Sequence, residues 1–409
     1  MKVLISGGWG YANLGDDAIL ASTIDLIKEK YPKCEITIMS FNPSETREIV
    51  PDERMKIVRS INRHLSKSAF KTLQISKNPH FEISTRNIRH VFKLPRKIRG
   101  LVHRLNQFIL QSKYLAFRKA PALLPCIQYF KEADLFIQAG GGYFIESWKD
   151  SFYARILELL IAEKYGARIL VIGQSIGPFT NRKCKQLAIE ALNKANVLSV
   201  RDTESYYELK SYGLNPTVIP DTVLSKSDFK YKKIKSIAVL LGSKELSEQQ
   251  VDSICGSLIE ISKGTGVNIK ITVSRRWDTD IRNVFKLYRR LKLRANTKLI
   301  LPNSYIELQD ILGECEVIIS QNLHGLILAW RAGCACISIN DKRKFVSFMH
   351  QSKQSNRLLP LQYLSKDKLT RLINDALSTN FSEMESIRHK LAKEISKEFN
   401  TSIEEALKD

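Results

Sequence analysis

The sequence predicts an α/β protein built as two Rossmann-like parallel-sheet domains facing a cleft, with a basic helical insertion in the first domain. Three observations carry this expectation. Short apolar runs recur along the chain, each ending in glycine, proline or a polar residue. Helix-period segments separate several of these runs. A charged stretch poor in apolar residues, roughly 225–235, breaks the series before it restarts. A length of 409 residues suits two domains of ordinary size, and 44% hydrophobic content suits a globular chain.

Taken in order, Val3, Leu4 and Ile5 form a first strand ending in Gly7 and Gly8, and a helix follows over about 16–30. Residues 36–39 form a second strand. Leu135, Phe136 and Ile137 run into Gly140, Gly141 and Gly142. The strand at 169–172 ends in Gly173, Gln174, Ser175, Ile176, Gly177 and Pro178. The strand at 197–200 ends in Arg201 and Asp202, and Val218-Ile219 ends in Pro220-Asp221. Helices are expected over 151–164 and 182–195. After the break, strands at 237–241, 269–273, 299–301, 317–319 and 336–339 make a second sheet, and 366–408 reads as amphipathic helix. The expected organisation is a first domain over 1–225 with an insertion at 59–125, a second over 236–365, and C-terminal helices over 366–409.

Composition narrows the function. No run of about 18 apolar residues exists, so no spanning helix is expected. The segment MKVLISGG reads as a strand and is too short in its apolar core for a secretory signal. Seven cysteines, odd in number and without a C-x-x-C pair, suit a reducing cytoplasm, with Cys334 and Cys336 packed in the core. No His, Cys, Asp or Glu grouping has metal-ligand spacing. The net charge is +22, and residues 59–119 hold 15 Lys and Arg against one acid, Glu82. That block carries +14, leaving +8 for the other 348 residues. So concentrated a charge points to an anionic partner. Within it Ile98, Leu101, Val102, Leu105, Phe108 and Ile109 fall at helical spacing beside Arg96, Lys97, Arg99 and Arg104. This is either an ordinary packed helix or one lying on an anionic membrane surface. Nucleic acid is disfavoured, because stacking aromatics and recognition motifs are missing from the sequence.

Ligands of open α/β sheets sit beyond the carboxyl ends of strands, so the residues there are the candidates. His324 follows the strand at 317–319 and the polar segment Ser320, Gln321, Asn322. It is either a satisfied structural histidine or a proton-transfer group near neutral pH. Arg201 follows a strand directly and is placed to grip a carboxylate or phosphate, with Asp202 either holding it or capping the next helix. Arg275 and Arg276 hold the analogous place in the second half. Gly10 and Gly15 have the spacing of a phosphate-binding loop, but Asp16 and Asp17 stand where lysine and a hydroxyl belong, so a triphosphate would be repelled. The dinucleotide fingerprint fails as well, since Asn13 stands where the third glycine of Gly8-Trp9-Gly10 should be. The remaining reading is a close-approach loop with Gly8 and Gly15 near a ligand, Asp16 as helix N-cap and the amide of Asn13 in the cleft. Gly141 and Gly142, and likewise Gln174 and Gly177, make two further loops that either turn the chain or present backbone N–H groups to a ligand.

Six segments together resemble the polysaccharide pyruvyl transferase family: GYANLGDDAIL (10–20), ADLFIQAGGGYF (133–144), IGQSIGPF (172–179), LSVRDTESYYEL (198–209), Pro220-Asp221 and SQNLHGLILA (320–329). The resemblance implies a glycosyltransferase-B-like architecture and transfer of a pyruvyl ketal from phosphoenolpyruvate to a sugar, without a cofactor. It makes Arg201 a donor-binding arginine and His324 the catalytic histidine. The family usually reads Arg-Leu-His, and Asn322 replaces that arginine here: either Arg275, Arg276 or Lys344 supplies the missing charge, or the chain uses a different donor or is inactive. The implied acceptor is a glycan or lipid-linked oligosaccharide of the cell surface, as in exopolysaccharide or capsule assembly. The implied location is the cytoplasm, peripheral at the inner face of the plasma membrane. A sugar-nucleotide glycosyltransferase of the same architecture, and a catalytically degenerate scaffold of glycan assembly, stay open as alternatives.

Overall fold

The computed structural model describes residues 1–65, 96–227, 231–242, 245–275 and 278–408. Arg276 and residues 66–95 of the basic block lie outside them. The first lobe contains β1 (Lys2–Ser6), α1 (Leu14–Lys30), β2 (Glu35–Ser40), α2 (Pro43–Ile49), β3 (Lys56–Arg59), α3 (Ile61–Leu65), α4 (Arg96–Lys119), α5 (Ile127–Glu132), β4 (Leu135–Phe144), α6 (Lys149–Lys164), β5 (Arg168–Ile176), α7 (Arg182–Leu192), β6 (Val197–Val200), α8 (Thr203–Lys210) and β7 (Thr217–Val218). The second contains β8 (Ser236–Leu240), α9 (Glu248–Thr265), β9 (Asn268–Thr272), α10 (Asp278–Leu291), β10 (Thr297–Leu299), α11 (Tyr305–Gly313), β11 (Val317–Ser320), α12 (Leu323–Arg331), β12 (Ala335–Ser338) and α13 (Arg343–Gln351). The chain closes with α14 (Lys366–Leu377) and α15 (Phe381–Leu407).

The central strands are apolar along their length because both faces are covered by helices. Leu135, Phe136 and Ile137 in β4, and Val317, Ile318 and Ile319 in β11, have no exposed surface. Each such side chain contributes about 1.5–3 kcal/mol of burial. The two sheets are parallel, with seven strands ordered β3-β2-β1-β4-β5-β6-β7 and five ordered β10-β9-β8-β11-β12. Strand order reverses between β1 and β4 in one lobe and between β8 and β11 in the other. Those two switch points open crevices at the strand ends, where the loops before α1 and α12 begin.

Two strands extend past their expected ends. The glycine triplet was expected to form a loop after the strand, but β4 continues to Phe144 beside β5, with a register shift between Gly141 and Phe144. Gly140 and Gly141 have φ of 55° and 85°, so the kink needs residues free of a Cβ. Likewise β5 runs through Gln174 to Ile176, with Gly173 at φ 67°.

The lobes share a core. One apolar cluster joins Ile5, Ile24 and Ile27 of the first lobe to Leu240, Leu326 and Trp330 of the second. The C-terminal helices divide between the lobes. The α14 residues Leu369 and Ile373 join the core of the second lobe, whereas α15 returns to the first with Ile395, Phe399 and Ile403 fully buried. Backbone bonds close the seam: the Leu14 N–H donates to the Ser274 carbonyl at 3.0 Å, and Asn13 bridges Arg275.

Candidate active site between the lobes

The loop after β1 is pinned from below. Trp9 is 1% exposed, and its Nε1 donates to the Met39 carbonyl at 2.7 Å. Tyr11 stacks on Phe41 with ring centroids 3.9 Å apart, and its hydroxyl accepts from Asn62 Nδ2 at 2.6 Å. The N-cap of α1 is Asn13, not Asp16 as expected from sequence. Asp16 lies in the first turn, buried, and its Oδ2 accepts from Asn13 Nδ2 and from the Tyr143 hydroxyl. Burial pushes the Asp16 carboxyl up to about 7, against the pull of Tyr143 and of the nearby Arg201. Its Oδ1 faces Gly141, where a Cβ would lie 3.7 Å away. Gly8 serves this arrangement rather than a ligand, because a Cβ there would stand 1.9 Å from the Tyr143 ring.

Arg201 emerges from the end of β6 and is 5% exposed. Its Nη1 pairs with Asp221 Oδ2 at 2.7 Å, and its Nε donates to Ser175 Oγ at 2.9 Å. Asp202 does not hold the arginine. Its Oδ1 caps α8 through the Ser205 N–H at 2.8 Å, and its Oδ2 accepts from Ser175 Oγ at 2.6 Å. With Nε and Nη1 engaged, Nη2 points past Gly142, 3.8 Å from the place of a Cβ. The held guanidinium thus offers one fixed edge to the cleft.

From the second lobe, α12 starts at the β11 switch point and carries His324 in its first turn. The imidazole lies on the backbone of Gly15, where a Cβ would come within 2.2 Å of its Cβ, Cγ and Nδ1. Only glycine at 15 lets the ring reach this place. The Nε2 atom is buried and has no hydrogen-bond partner among the described residues. Burial, then the charges of Arg201, Lys344 and Arg275, hold its pKa well below the ordinary value. The ring is therefore neutral at pH 7.

Asn322 is committed locally, since its Oδ1 caps α12 through the Gly325 N–H at 3.1 Å. Arg275 is held by Asp280 through Nε–Oδ2 and Nη2–Oδ1 bonds of 2.9 and 3.1 Å. Lys344 stands in the first turn of α13, a helix with no acid in that turn. No ion pair joins it to another described residue. Loss of hydration, then Arg201, Lys342 and Arg275, lower its pKa to about 8. The residue is exposed overall, so hydration loss is partial and the neighbouring cations are the firmer cause. A cation at the positive end of a helix among other cations favours an arriving anion. Gln351 of the same helix donates from Nε2 to the Arg201 carbonyl at 3.1 Å, which ties α13 to the first lobe.

The structure thus gathers Asn13, Gly15, Asp16, Gly141, Gly142, Arg201, Arg275, His324 and Lys344 at one seam. Two expected residues make other contacts. Gln174 is 1% exposed, and its Nε2 donates to the Gln138 carbonyl at 3.0 Å within the sheet. Gly177 turns the chain at φ 75°, near Glu208. Two partners were missed by sequence reasoning, Tyr143 and Asp221. Both lay in quoted segments, after the glycine triplet and in Pro220-Asp221. Among the described residues no group of three His, Cys, Asp or Glu is arranged to hold a metal.

Two parallel sheets with facing switch points, and cations from both lobes around an imidazole, define a two-lobed protein of glycosyltransferase-B-like architecture with a cationic seam. Solved structures share this fold. UDP-GlcNAc 2-epimerase from Neisseria meningitidis, bound to UDP-GlcNAc, superposes with a TM-score of 0.56 at 13% identity, covering 98% of this chain and 99% of that one. Anabaena Alr3699/HepE in complex with UDP gives 0.56 at 12% identity, covering 100% and 99%. The polysaccharide pyruvyl transferase family model matches residues 13–343, and the chain belongs to that family. It is also similar to the amylovoran biosynthesis protein AmsJ of Erwinia amylovora, at 22% identity over 429 residues that take in 94% of each protein.

Proposed function

We propose that the protein transfers a pyruvyl ketal from phosphoenolpyruvate to a sugar of a cell-surface glycan precursor at the cytoplasmic side of the cell envelope. One observation carries this reading. Arg201, Lys344 and Arg275, drawn from both lobes, lie around a neutral His324 whose buried Nε2 has no partner among the described residues. Such a site suits a small molecule with two anionic ends and a reactive carbon between them. Family membership and the likeness to an amylovoran biosynthesis protein support the same class of reaction.

Lys344 takes the place of the charge that Asn322 lacks. Arg201 and Lys344 hold the carboxylate and phosphate. Asp16, protonated up to about pH 7, gives its proton to the donor's methylene carbon, which becomes a methyl group. The adjoining carbon becomes oxocarbenium-like, and a sugar hydroxyl adds to it while His324 takes the hydroxyl proton. The C–O bond to phosphate then breaks, phosphate leaves with the proton held by His324, and a second hydroxyl closes the ketal. That hydroxyl's proton returns to Asp16, so protons balance. Incubation with phosphoenolpyruvate and a panel of lipid-linked oligosaccharides should give one phosphate per pyruvate fixed in glycan, read by mass spectrometry and phosphate assay. Glycosyl transfer from a nucleotide sugar, with no response to phosphoenolpyruvate, would replace this reading by the glycosyltransferase one.

A further inference from the structure

We propose that α4 seats the protein on an anionic lipid surface through the stripe Leu105, Phe108 and Leu115. The helix has two unlike faces. Leu110 and Tyr114 are each 4% exposed and pack inward, with the Tyr114 ring 4.7 Å from that of Tyr153. Leu105, Phe108 and Leu115 are 50%, 68% and 52% exposed. Spacings of three and seven residues place these three on one side of a helix. Leu123, 64% exposed, continues the apolar surface just past the helix.

Contacts with its neighbours fasten the helix to the first lobe. Tyr153 belongs to the start of α6, and Leu65, whose carbonyl accepts from Lys113 Nζ at 3.4 Å, ends α3. Both follow the carboxyl ends of strands. Further along, Arg118 pairs with Glu190 at 2.5 Å near the end of α7.

Charge selects the occupant. The helix holds seven Lys and Arg and no acid, within a block that carries +14. Pairing two copies through this face would bring two such blocks together, whereas anionic lipid neutralises them and accepts the apolar stripe. Among the described residues no helix is long and apolar enough to cross a membrane, so the mode is lying on the surface. The proposal does not depend on the transferase reading.

The test is co-sedimentation of the full chain with vesicles of phosphatidylcholine alone or with 30% phosphatidylglycerol, at low and high salt, without phosphoenolpyruvate. Wild type should bind the anionic vesicles at least tenfold more tightly than the neutral ones, with the difference shrinking in high salt. The triple variant Leu105→Glu, Phe108→Glu, Leu115→Glu should lose at least tenfold of that affinity while its melting temperature stays within about 2 °C and its phosphoenolpyruvate affinity is unchanged. Equal binding by wild type and variant, or no preference for anionic vesicles, overturns the proposal. So does a wild-type dimer that the variant dissolves, which would assign the stripe to a second copy. A large fall in the variant's melting temperature also overturns it, because the stripe would then be covered by this chain.

Discussion

Replacing His324 with Asn should lower kcat by a factor of about 10²–10⁴, the usual worth of a positioned acid–base group, while phosphoenolpyruvate affinity stays within about threefold. The asparagine fits the space over Gly15 but cannot exchange a proton. In wild type the Nε2 atom is buried and unpartnered, which leaves it available to a substrate hydroxyl. Burial, with the three nearby cations, holds its pKa down and keeps it in the basic form at pH 7. Single-turnover phosphate release measures the step. An unchanged kcat would assign the ring to structure.

Asp16→Asn should separate activity from stability. Folding raises the pKa of this carboxyl from 3.8 to about 7. Between those values the unfolded chain loses the proton and the folded chain keeps it, so rising pH favours unfolding until about pH 7. Removing the ionisable group should therefore stabilise the protein at pH 8 by on the order of 2–4 kcal/mol, fading to nothing below pH 4. Urea unfolding at several pH values measures this. The same variant should lose turnover by about 10²–10⁴ as a proton donor is removed. The wild-type fall in kcat/KM above about pH 7 should vanish with it. A variant that is active, or no more stable at pH 8 than wild type, would mean that Asp16 is ionised and merely structural.

Much of this seam was legible because open α/β sheets put ligands at strand ends. Reading where apolar runs stop gave Arg201, Arg275 and His324 directly. Glycine was the poorer guide. The triplet at 140–142 has the composition of a turn, yet strand pairing carries on through it. The chemistry of Gly8 concerns the Tyr143 ring, a contact across 135 residues that no local pattern encodes. The helix start was misplaced by three residues because Asp16 and Asn13 are both good caps, and tertiary packing against Tyr143 decides between them. Asp221 escaped for a similar reason: its partner Arg201 lies 20 residues away, joined only by adjacent strand ends.

The account turns on two cations from opposite lobes closing on one small dianion. Calorimetric titration of phosphoenolpyruvate into wild type, Arg201→Ala and Lys344→Ala tests it most directly. Saturable binding by wild type is predicted, with each variant weakened about tenfold or more, the cost of removing a charge-assisted contact of about 1.5–3 kcal/mol. Inorganic phosphate should compete. Failure of wild type to bind phosphoenolpyruvate, or equal affinity in all three proteins, would contradict the account.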